Sequence, residues 1–204
     1  ISNLPYQDSA VNSIVEIFKG QSTQQSNFTV HSGELFGVLQ TELGIGNRLD
    51  LTYEEILKNV QQVQMNNNLS RSEKLEGMNF TVEMETGTGK TYVYLKTIYE
   101  LNKNYGFTKF VIVVPSVAIR EGVYKSLQIT KEHFQSIFDN VPFNYFVYDS
   151  SKLGEVRNFA TSNTIQVMII NIDAFRKSFV DPSKEDKANV IHRANDKMQG
   201  YRPI

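Results

Sequence analysis

The sequence lacks cysteine and has no excess of either charge, since its 204 residues include 21 basic and 22 acidic side chains. The absence of cysteine excludes a disulfide framework and a thiolate metal site, and it is compatible with the reducing cytoplasm in which we expect the protein. The net charge of −1 neither predicts nor excludes nucleic-acid binding, because a neutral body can carry a local basic groove.

A long apolar run is also missing. The longest, FVIVV at 110–114, ends at Pro115, whereas a helix that spans a bilayer needs about 20 apolar residues. The opening residues ISNLPYQ lack the basic and apolar regions of a signal peptide, so we expect no membrane association. The chain begins without methionine, and we expect it to be a fragment of a longer protein, trimmed at both ends.

The first part of the chain contains two helical patterns separated by polar sequence. Apolar residues recur at helical spacing over 8–19, with Asp8 as the expected N-cap and Gly20 as the expected stop. A second helix is predicted over 52–64. Residues 21–33 are rich in Ser, Gln and Thr and predict a loop.

From residue 80 onwards, short apolar runs typical of strands alternate with helical patterns. The predicted strands are 80–84, 109–115, 143–149 and 165–171, and the predicted helices are 90–105, 117–127, 130–138 and 151–160. This order predicts an α/β fold with a mostly parallel sheet flanked by helices. The uniformly apolar run at 109–115 predicts a strand buried on both faces. Residues 181–204 are polar and predict irregular structure that includes a hairpin.

The stretch VEMETGTGKT at 82–91 carries the chemistry of a phosphate-binding loop. Gly87 and Gly89 allow the backbone to wrap and to point N–H groups at an anion, and the helix that follows adds its N-terminal dipole. Lys90 is expected to reach the β- and γ-phosphates of ATP and Thr91 to coordinate Mg²⁺, so both are our catalytic candidates. Nucleotide contacts are predicted from seven consecutive residues: Glu85, Thr86, Gly87, Thr88, Gly89, Lys90 and Thr91.

The loop pattern is specific although its first position is unusual. T-G-x-G-K-T fixes five residues, and its chance occurrence is on the order of one in a million per position. Met84 stands where such loops usually begin with glycine. That glycine serves the turn, whereas the later residues contact phosphate, so the prediction of a phosphate loop stands.

Gln7 lies in LPYQDSAV, just before an amphipathic helix. A glutamine amide can donate to and accept from the edge of adenine, so Gln7 is a candidate for selecting ATP over GTP. A purely structural glutamine at a helix start is the competing interpretation.

The stretch VVPSVAIREG at 113–122 ends a predicted strand and opens a helix. Ser116 and Arg120 are therefore expected near the carboxyl edge of the sheet, where ligands of α/β proteins bind. Ser116 could instead only cap the helix, and Arg120 could be a solvated charge. Asp149 and Asp173 each follow a strand as candidates for holding Mg²⁺, and spacing favours Asp173, but neither is followed by Glu.

These stretches together closely resemble the Res subunit of Type III restriction–modification enzymes, a superfamily 2 helicase-like ATPase. The resemblance rests on METGTGKTYVYLKTIYELNKNYGFTKFVIVVPSVAIREGVYKSL and MIINIDAF; it is strong over 80–128 and looser from Leu4 to Pro203. The family usually reads M-x-T-G-x-G-K-T at the loop, so Met84 is normal for it. The resemblance also implies that the Asp-Glu pair lies on a strand beyond Ile204, which overrules Asp173 as the Mg²⁺ carboxylate.

The resemblance implies roles for the other stretches. LPYQ resembles the Q-motif, with Gln7 on adenine; PSVAIREG resembles motif Ia and NIDAF motif Ib, both on the DNA backbone. The implied nucleic-acid contacts are Pro115, Ser116, Arg120, Asn171 and Asp173, although Asn171 could simply cap a turn. The implied partners are double-stranded DNA and a Mod methyltransferase subunit. ATP hydrolysis would drive communication along DNA between two sites, and a separate nuclease domain would cut.

The expected domain organisation is a Q-motif-like helix at 1–20, a variable insertion at 21–79 and an incomplete RecA-like lobe, superfamily 2 domain 1, at 80–204. This segment lacks a Walker B pair, a second lobe and nuclease carboxylates. Phosphoryl transfer needs metal, positioned water and charge stabilisation together, so we expect residues 1–204 alone to bind nucleotide weakly and hydrolyse little.

Three rival functions remain open from the residues. One is another superfamily 2 motor that acts in DNA repair or on RNA. A second is a kinase-type or other nucleotide-binding P-loop protein without nucleic acid. A third is a scaffold with a vestigial loop, against which the intact Gly87, Gly89, Lys90 and Thr91 argue.

Overall fold

The computed structural model describes residues 4–23, 25–35 and 38–175. Its elements, in chain order, are α1 (Pro5–Ile17), β1 (Gln25–Leu35), β2 (Val38–Asn47), α2 (Tyr53–Asn66), α3 (Lys90–Tyr105), β3 (Lys109–Val114), α4 (Val117–Ile137), β4 (Phe143–Val147), α5 (Leu153–Thr161) and β5 (Ile165–Asn171). They form two compact units. The described residues of Ile1–Gln24 and Leu49–Gly106 make the first unit, and those of Gln25–Arg48 and Phe107–Ile204 make the second. The hairpin predicted within 181–204 lies outside the described residues.

The first unit contains the three helices α1, α2 and α3. Helix α1 begins at Pro5, three residues before the expected start, because proline fits the first helical position, where no N–H donor is needed. Leu4 is therefore the N-cap, and the prediction for Asp8 is wrong: its carboxylate pairs with Lys96 of α3 instead. Ala10 and Val11 of α1 pack on Val93 of α3, which joins the two helices.

Helix α2 matches the prediction closely because its start carries a capping box. The Thr52 hydroxyl accepts from the backbone N–H of Glu55, and the Glu55 carboxylate accepts from the backbone N–H of Thr52. These bonds lower the pKa of Glu55, chiefly through the backbone donor. Asn59 donates to the carbonyl groups of Ile17 and Lys19, so α2 is fastened to the end of α1.

The strand predicted at 80–84 is wrong within the described residues, where this segment belongs to no sheet. A strand needs a neighbour that satisfies its N–H and C=O groups, and no described strand pairs with this one. Phe80 and Val82 are 36% and 42% exposed. The apolar residues of 80–84 suggested a strand, but they could not specify a partner strand for it to pair with.

The loop predicted at 21–33 is also wrong over most of its length. Strands β1 and β2 form an antiparallel hairpin in which Gln25 is opposite Asn47 and Leu35 is opposite Val38. Polar composition suggested a loop, but strand formation depends on cross-strand pairing as much as on residue type.

The second unit is built on a parallel sheet with the order β3-β5-β4. Neighbouring residues of β4 point to opposite faces. Tyr145 meets Tyr124 of α4 with ring centroids 5.4 Å apart, whereas Phe146 meets Phe159 of α5 at 6.1 Å. Helices therefore cover both faces, which confirms the predicted α/β architecture.

Two details of this sheet differ from the sequence prediction. The strand buried on both faces is β5, while β3 lies at the edge of the described sheet and leaves Val113 40% exposed. The two helices expected at 117–127 and 130–138 are the single helix α4. No glycine or proline separates them, and Ile129, which lies between the two predicted helices, is exposed.

Asn47 fastens the hairpin to the sheet within the second unit. Its side-chain oxygen accepts from the backbone N–H groups of Thr108 and Lys109 at 2.8 and 3.0 Å, and its Nδ2 donates to the Lys109 carbonyl at 2.7 Å. The Lys109 side chain is completely buried, and its ammonium donates to the carbonyl of Ser162. A buried polar cluster thus lies where β2 meets the start of β3.

Candidate functional site

The loop from Met84 to Gly89 leads directly into α3 at Lys90, as the phosphate-loop prediction requires, whereas the strand expected before the loop is not formed among the described residues. Gly87 and Gly89 have φ angles of 82° and 86°, in the left-handed region where side chains are strained. A Cβ on Gly87 would meet nothing within 4 Å, so the space beside the loop is open there. This backbone can approach an anion closely.

Lys90 lies against the carbonyl groups of its own loop. Its Nζ donates to the oxygens of Met84 and Glu85 at 2.6 and 2.9 Å, and the Thr88 hydroxyl donates to the same Glu85 oxygen at 2.6 Å. All seven residues predicted from Glu85 to Thr91 therefore lie in one loop and the first turn of α3. Lys90 is an exposed residue.

Gln7 contacts this loop from α1. The residue is 6% exposed, and its Nε2 donates to the Thr88 carbonyl at 2.9 Å, across 81 residues of sequence. A glutamine amide nitrogen carries two hydrogens, so one remains to donate elsewhere. Gln7 thus ties the first turn of α1 to this loop, and this contact fits both interpretations of the residue, an adenine contact and a structural role.

The residues present fit a phosphate group better than a complete metal site. Open glycines, the helix start and Lys90 suit an anion. Thr91 is a half-buried hydroxyl on the first turn of α3, and the part of the chain that the structure describes contains no cluster of three metal-ligating side chains. Mg²⁺ commonly takes most of its ligands from phosphates and water, so a single hydroxyl is a reasonable protein contribution.

The five candidates for nucleic-acid contact lie in the second unit. Ser116 caps α4 by accepting from the Ile119 N–H at 3.3 Å, and Arg120 pairs with Glu121 at 3.1 Å. The alternative of a helix cap is therefore realised for Ser116. Arg120 is half-buried and paired, which is more than a freely solvated charge.

Asn171 is the last residue of the neighbouring strand β5, and Asp173 follows that strand. Val114 is opposite Asn171 in the parallel pairing, so Pro115 and Ser116 leave the sheet beside Asn171 and Asp173. Asn171 accepts from the Asp173 N–H at 2.9 Å, which realises the turn-cap alternative for this residue. The structure therefore brings the predicted DNA-contact residues to one edge of the sheet.

Asp149 follows β4 at the same edge and is engaged locally. Its carboxylate accepts from the hydroxyl and the backbone N–H of Ser151 at 2.7 and 2.9 Å. These hydrogen bonds lower the pKa of Asp149, with the hydroxyl contributing most. It has the features of a turn residue.

The sequence did not reveal the ion pair that joins α1 and α3 beside the loop. Asp8 and Lys96 approach to 2.6 Å, and the Lys96 side chain is only 10% exposed. They are separated by 88 residues, and no local pattern links them. The one local signal is an Asp next to Gln7, and the same Asp is equally consistent with a helix cap.

A glycine-rich loop that begins a helix, together with a parallel sheet covered by helices, defines an α/β protein of the P-loop, RecA-like class. The sequence profile of the family described as "Type III restriction enzyme, res subunit" matches residues 1–199. The chain belongs to this family, so the resemblance inferred from the motifs is confirmed.

Individual relatives agree. The chain is 33% identical over 164 residues to the Type III restriction-modification enzyme EcoPI Res subunit of Escherichia phage P1, and 32% identical over 158 residues to the EcoP15I Res subunit of Escherichia coli. Each match covers 75% of this chain and 15% of the relative. The StyLTI Res subunit of Salmonella typhimurium is 38% identical over 111 residues, 46% of this chain and 11% of that protein. The chain thus spans only a small part of the length of these relatives.

Among the described helices, none has the length and apolarity to cross a membrane.

Proposed function

We propose that this chain forms the ATP-binding, DNA-contacting beginning of the helicase-like motor of a Type III restriction enzyme. The single observation that carries the proposal is the loop at Gly87 and Gly89, with Lys90 at its end and Gln7 hydrogen-bonded to it. Membership of the Res family supplies the class of reaction. The proposed setting is the cytoplasm, with a Mod methyltransferase subunit as partner and double-stranded DNA as the track.

Each residue of the loop has a proposed task. The N–H groups from Glu85 to Lys90 bind the phosphates, and Lys90 exchanges its two loop carbonyl partners for phosphate oxygens. Thr91 supplies a hydroxyl to Mg²⁺, the ion that would neutralise charge on the phosphates. Gln7 keeps one amide hydrogen on Thr88 and offers the rest of the amide to adenine.

The DNA-facing proposal rests on the sheet edge of the second unit. Pro115, Ser116, Arg120, Asn171 and Asp173 lie at the carboxyl ends of neighbouring strands. Backbone N–H groups and the start of α4 can bind phosphate there, and phosphate contacts position a protein on DNA without reading its sequence. Site recognition is therefore assigned to the Mod partner.

The proposed domain division keeps 1–20 as the Q-motif helix, 21–79 as an insertion and 80–204 as the incomplete lobe. We also propose that the Asp-Glu pair and the nuclease lie outside this segment, as the family resemblance implies. We accordingly propose that residues 1–204 alone hydrolyse ATP poorly. Appreciable DNA-stimulated ATPase activity of the isolated segment would contradict this division of labour.

The test is Lys90→Ala in the full-length protein, with Lys103→Ala as the matched control. Lys103 is exposed near the other end of the same helix. Lys90→Ala is expected to abolish ATP-dependent DNA cleavage and to weaken binding of a fluorescent ATP analogue, while Mod-directed site recognition persists. Lys103→Ala is expected to behave as wild type. Cleavage that survives Lys90→Ala would refute the role of this lysine.

A second measurement separates the rival functions. ATP hydrolysis by the full-length protein is compared with and without duplex DNA and with single-stranded RNA. Stimulation by duplex DNA together with cleavage supports the restriction motor. Stimulation by RNA would favour another superfamily 2 motor, no stimulation would favour a P-loop protein without nucleic acid, and no nucleotide binding would favour a vestigial loop.

A further inference from the structure

The first turn of α1 carries the buried Gln7, while the residues just before Gln7 are exposed. Its N-cap, Leu4, makes no side-chain capping bond, and Leu4, Pro5 and Tyr6 are exposed. Helix ends fray when their N–H groups lack partners and their side chains lack packing. The contact between Gln7 and Thr88 therefore depends on whatever fixes this turn to α3.

The ion pair between Asp8 and Lys96 is placed to do this. Asp8 follows Gln7 directly, Lys96 lies on the helix that begins at the phosphate loop, and their charged atoms are 2.6 Å apart. Lys96 is nearly buried, so its charge is screened less than that of a surface lysine. The negative charge of Asp8, near the N-terminus of α1, also interacts favourably with the positive end of the helix dipole.

We infer that Asp8 and Lys96 are positioning residues for the nucleotide site, because their ion pair holds the first turn of α1 so that Gln7 stays on Thr88. The inference rests on the proposed function and extends it to two residues outside the sequence motifs. Neither residue touches nucleotide. Their effect on binding passes through Gln7. Loss of the ion pair therefore lowers the preference for adenine over guanine and does not only lower the stability of the protein.

The chain offers a matched control at the other end of the same helix pair. The Tyr105 hydroxyl, at the end of α3, donates to the Val15 carbonyl of α1 at 2.9 Å. Tyr105→Phe removes a polar link between α1 and α3 that lies about two helical turns from Gln7. Asp8→Asn removes the ion pair between the same two helices next to Gln7. A general loosening of the two helices affects both variants, whereas positioning of Gln7 affects only Asp8→Asn.

The experiment measures the affinities of the full-length protein for fluorescent ATP and GTP analogues and its thermal midpoint. We expect Asp8→Asn and Lys96→Met to lower the ratio of ATP to GTP affinity by about fivefold or more. Tyr105→Phe is expected to change the midpoint but not the ratio. The exchanged pair Asp8→Lys with Lys96→Asp is expected to recover part of the ratio.

A double-variant comparison decides whether the effect passes through Gln7. In a Gln7→Ala background, Asp8→Asn is expected to change the ratio no further, because the group that it positions is already gone. An unchanged ratio in Asp8→Asn, or equal losses with and without Gln7, would overturn the inference while leaving the proposed function intact. Wild-type protein that binds neither analogue would instead overturn the proposed function, and the inference with it.

Discussion

Gln7 and Gly89 occupy adjoining space, such that a Cβ on Gly89 would lie 2.5 Å from the Nε2 atom of Gln7. The phosphate loop is therefore shaped on one side by α1 and not only by its own glycines. The same amide that donates to Thr88 would have to shift if position 89 carried a side chain.

Gly89→Ala is predicted to lose more ATP affinity than Gly87→Ala. Both glycines have left-handed backbone angles, so alanine at either position costs about 1–2 kcal/mol in strain. Only position 89 adds a collision with Gln7, since the space at Gly87 is open. Titration with a fluorescent ATP analogue measures the difference, and equal losses at the two positions would show that Gln7 can move aside without consequence.

Substitutions of Arg120 and of its partner Glu121 are predicted to change DNA affinity in opposite directions. Arg120→Ala should weaken duplex binding and reduce the slope of log affinity against log salt by about 1, while Glu121→Gln should strengthen binding by freeing the guanidinium. Lys125→Ala, an exposed lysine further along α4, is the control. Fluorescence anisotropy with duplex DNA at several salt concentrations checks this, and identical effects of Arg120→Ala and Lys125→Ala would remove Arg120 from the interface.

Substitution of Ser116 is predicted to separate its capping role from a DNA contact. Ser116→Ala should destabilise α4 by about 1 kcal/mol, whereas Ser116→Asp keeps a good N-cap and should fold as wild type. An aspartate at this edge would repel DNA phosphates, so its duplex affinity should be lower than that of Ser116→Ala. Thermal unfolding and DNA anisotropy measured together test both parts, and normal DNA binding by Ser116→Asp would place DNA elsewhere.

The stability of the second unit is predicted to rise with pH between about pH 8 and 9.5. Burial lowers the pKa of Lys109 from 10.5 to about 8. Above that value the folded state has released a proton that the unfolded state still holds, so the free energy of unfolding increases, by on the order of 2 kcal/mol across this window. Below pH 8 the buried ammonium keeps its desolvation penalty.

Hydrogen exchange of the β3 and β5 amides, corrected for the intrinsic rate at each pH, measures this effect. Lys109→Met retains the apolar stem and removes the titrating group, so its stability should not show the rise. A rise of the same size in Lys109→Met would assign the pH dependence to another group.

The helices show how much local sequence could predict. Helix α3 has the expected bounds because a glycine with a left-handed backbone stands at each end, Gly89 before it and Gly106 after it. Helix α2 was predictable from the Thr52 cap. The start of α1 was not, because Pro5 and Asp8 both carry start signals and only the pairing of Asp8 with Lys96 decides between them.

The predicted nucleotide and DNA contacts also differ in how far local sequence could support them. The nucleotide contacts from Glu85 to Thr91 stay a prediction, which could be made from local sequence because these residues are adjacent in the chain. Because Ser116 and Asn171 stand at strand ends, the sequence could suggest that they lie at the same edge of the sheet. Only the sheet register, in which Val114 is opposite Asn171, shows that they are neighbours there. A motif can suggest that Gln7 serves the nucleotide site, but no spacing in the sequence predicts its bond to Thr88.

Local sequence was sufficient for the family and for the alternation of helices and strands after residue 90, because each depends on neighbouring residues and on backbone preferences; the phosphate-binding role of the loop stays a prediction. Three features required the folded chain: the antiparallel pairing of 25–35 with 38–47, the burial of Lys109 and the ion pair of Asp8 with Lys96. These features depend on contacts between residues far apart in the chain, and their free energy comes from partners that no local pattern specifies.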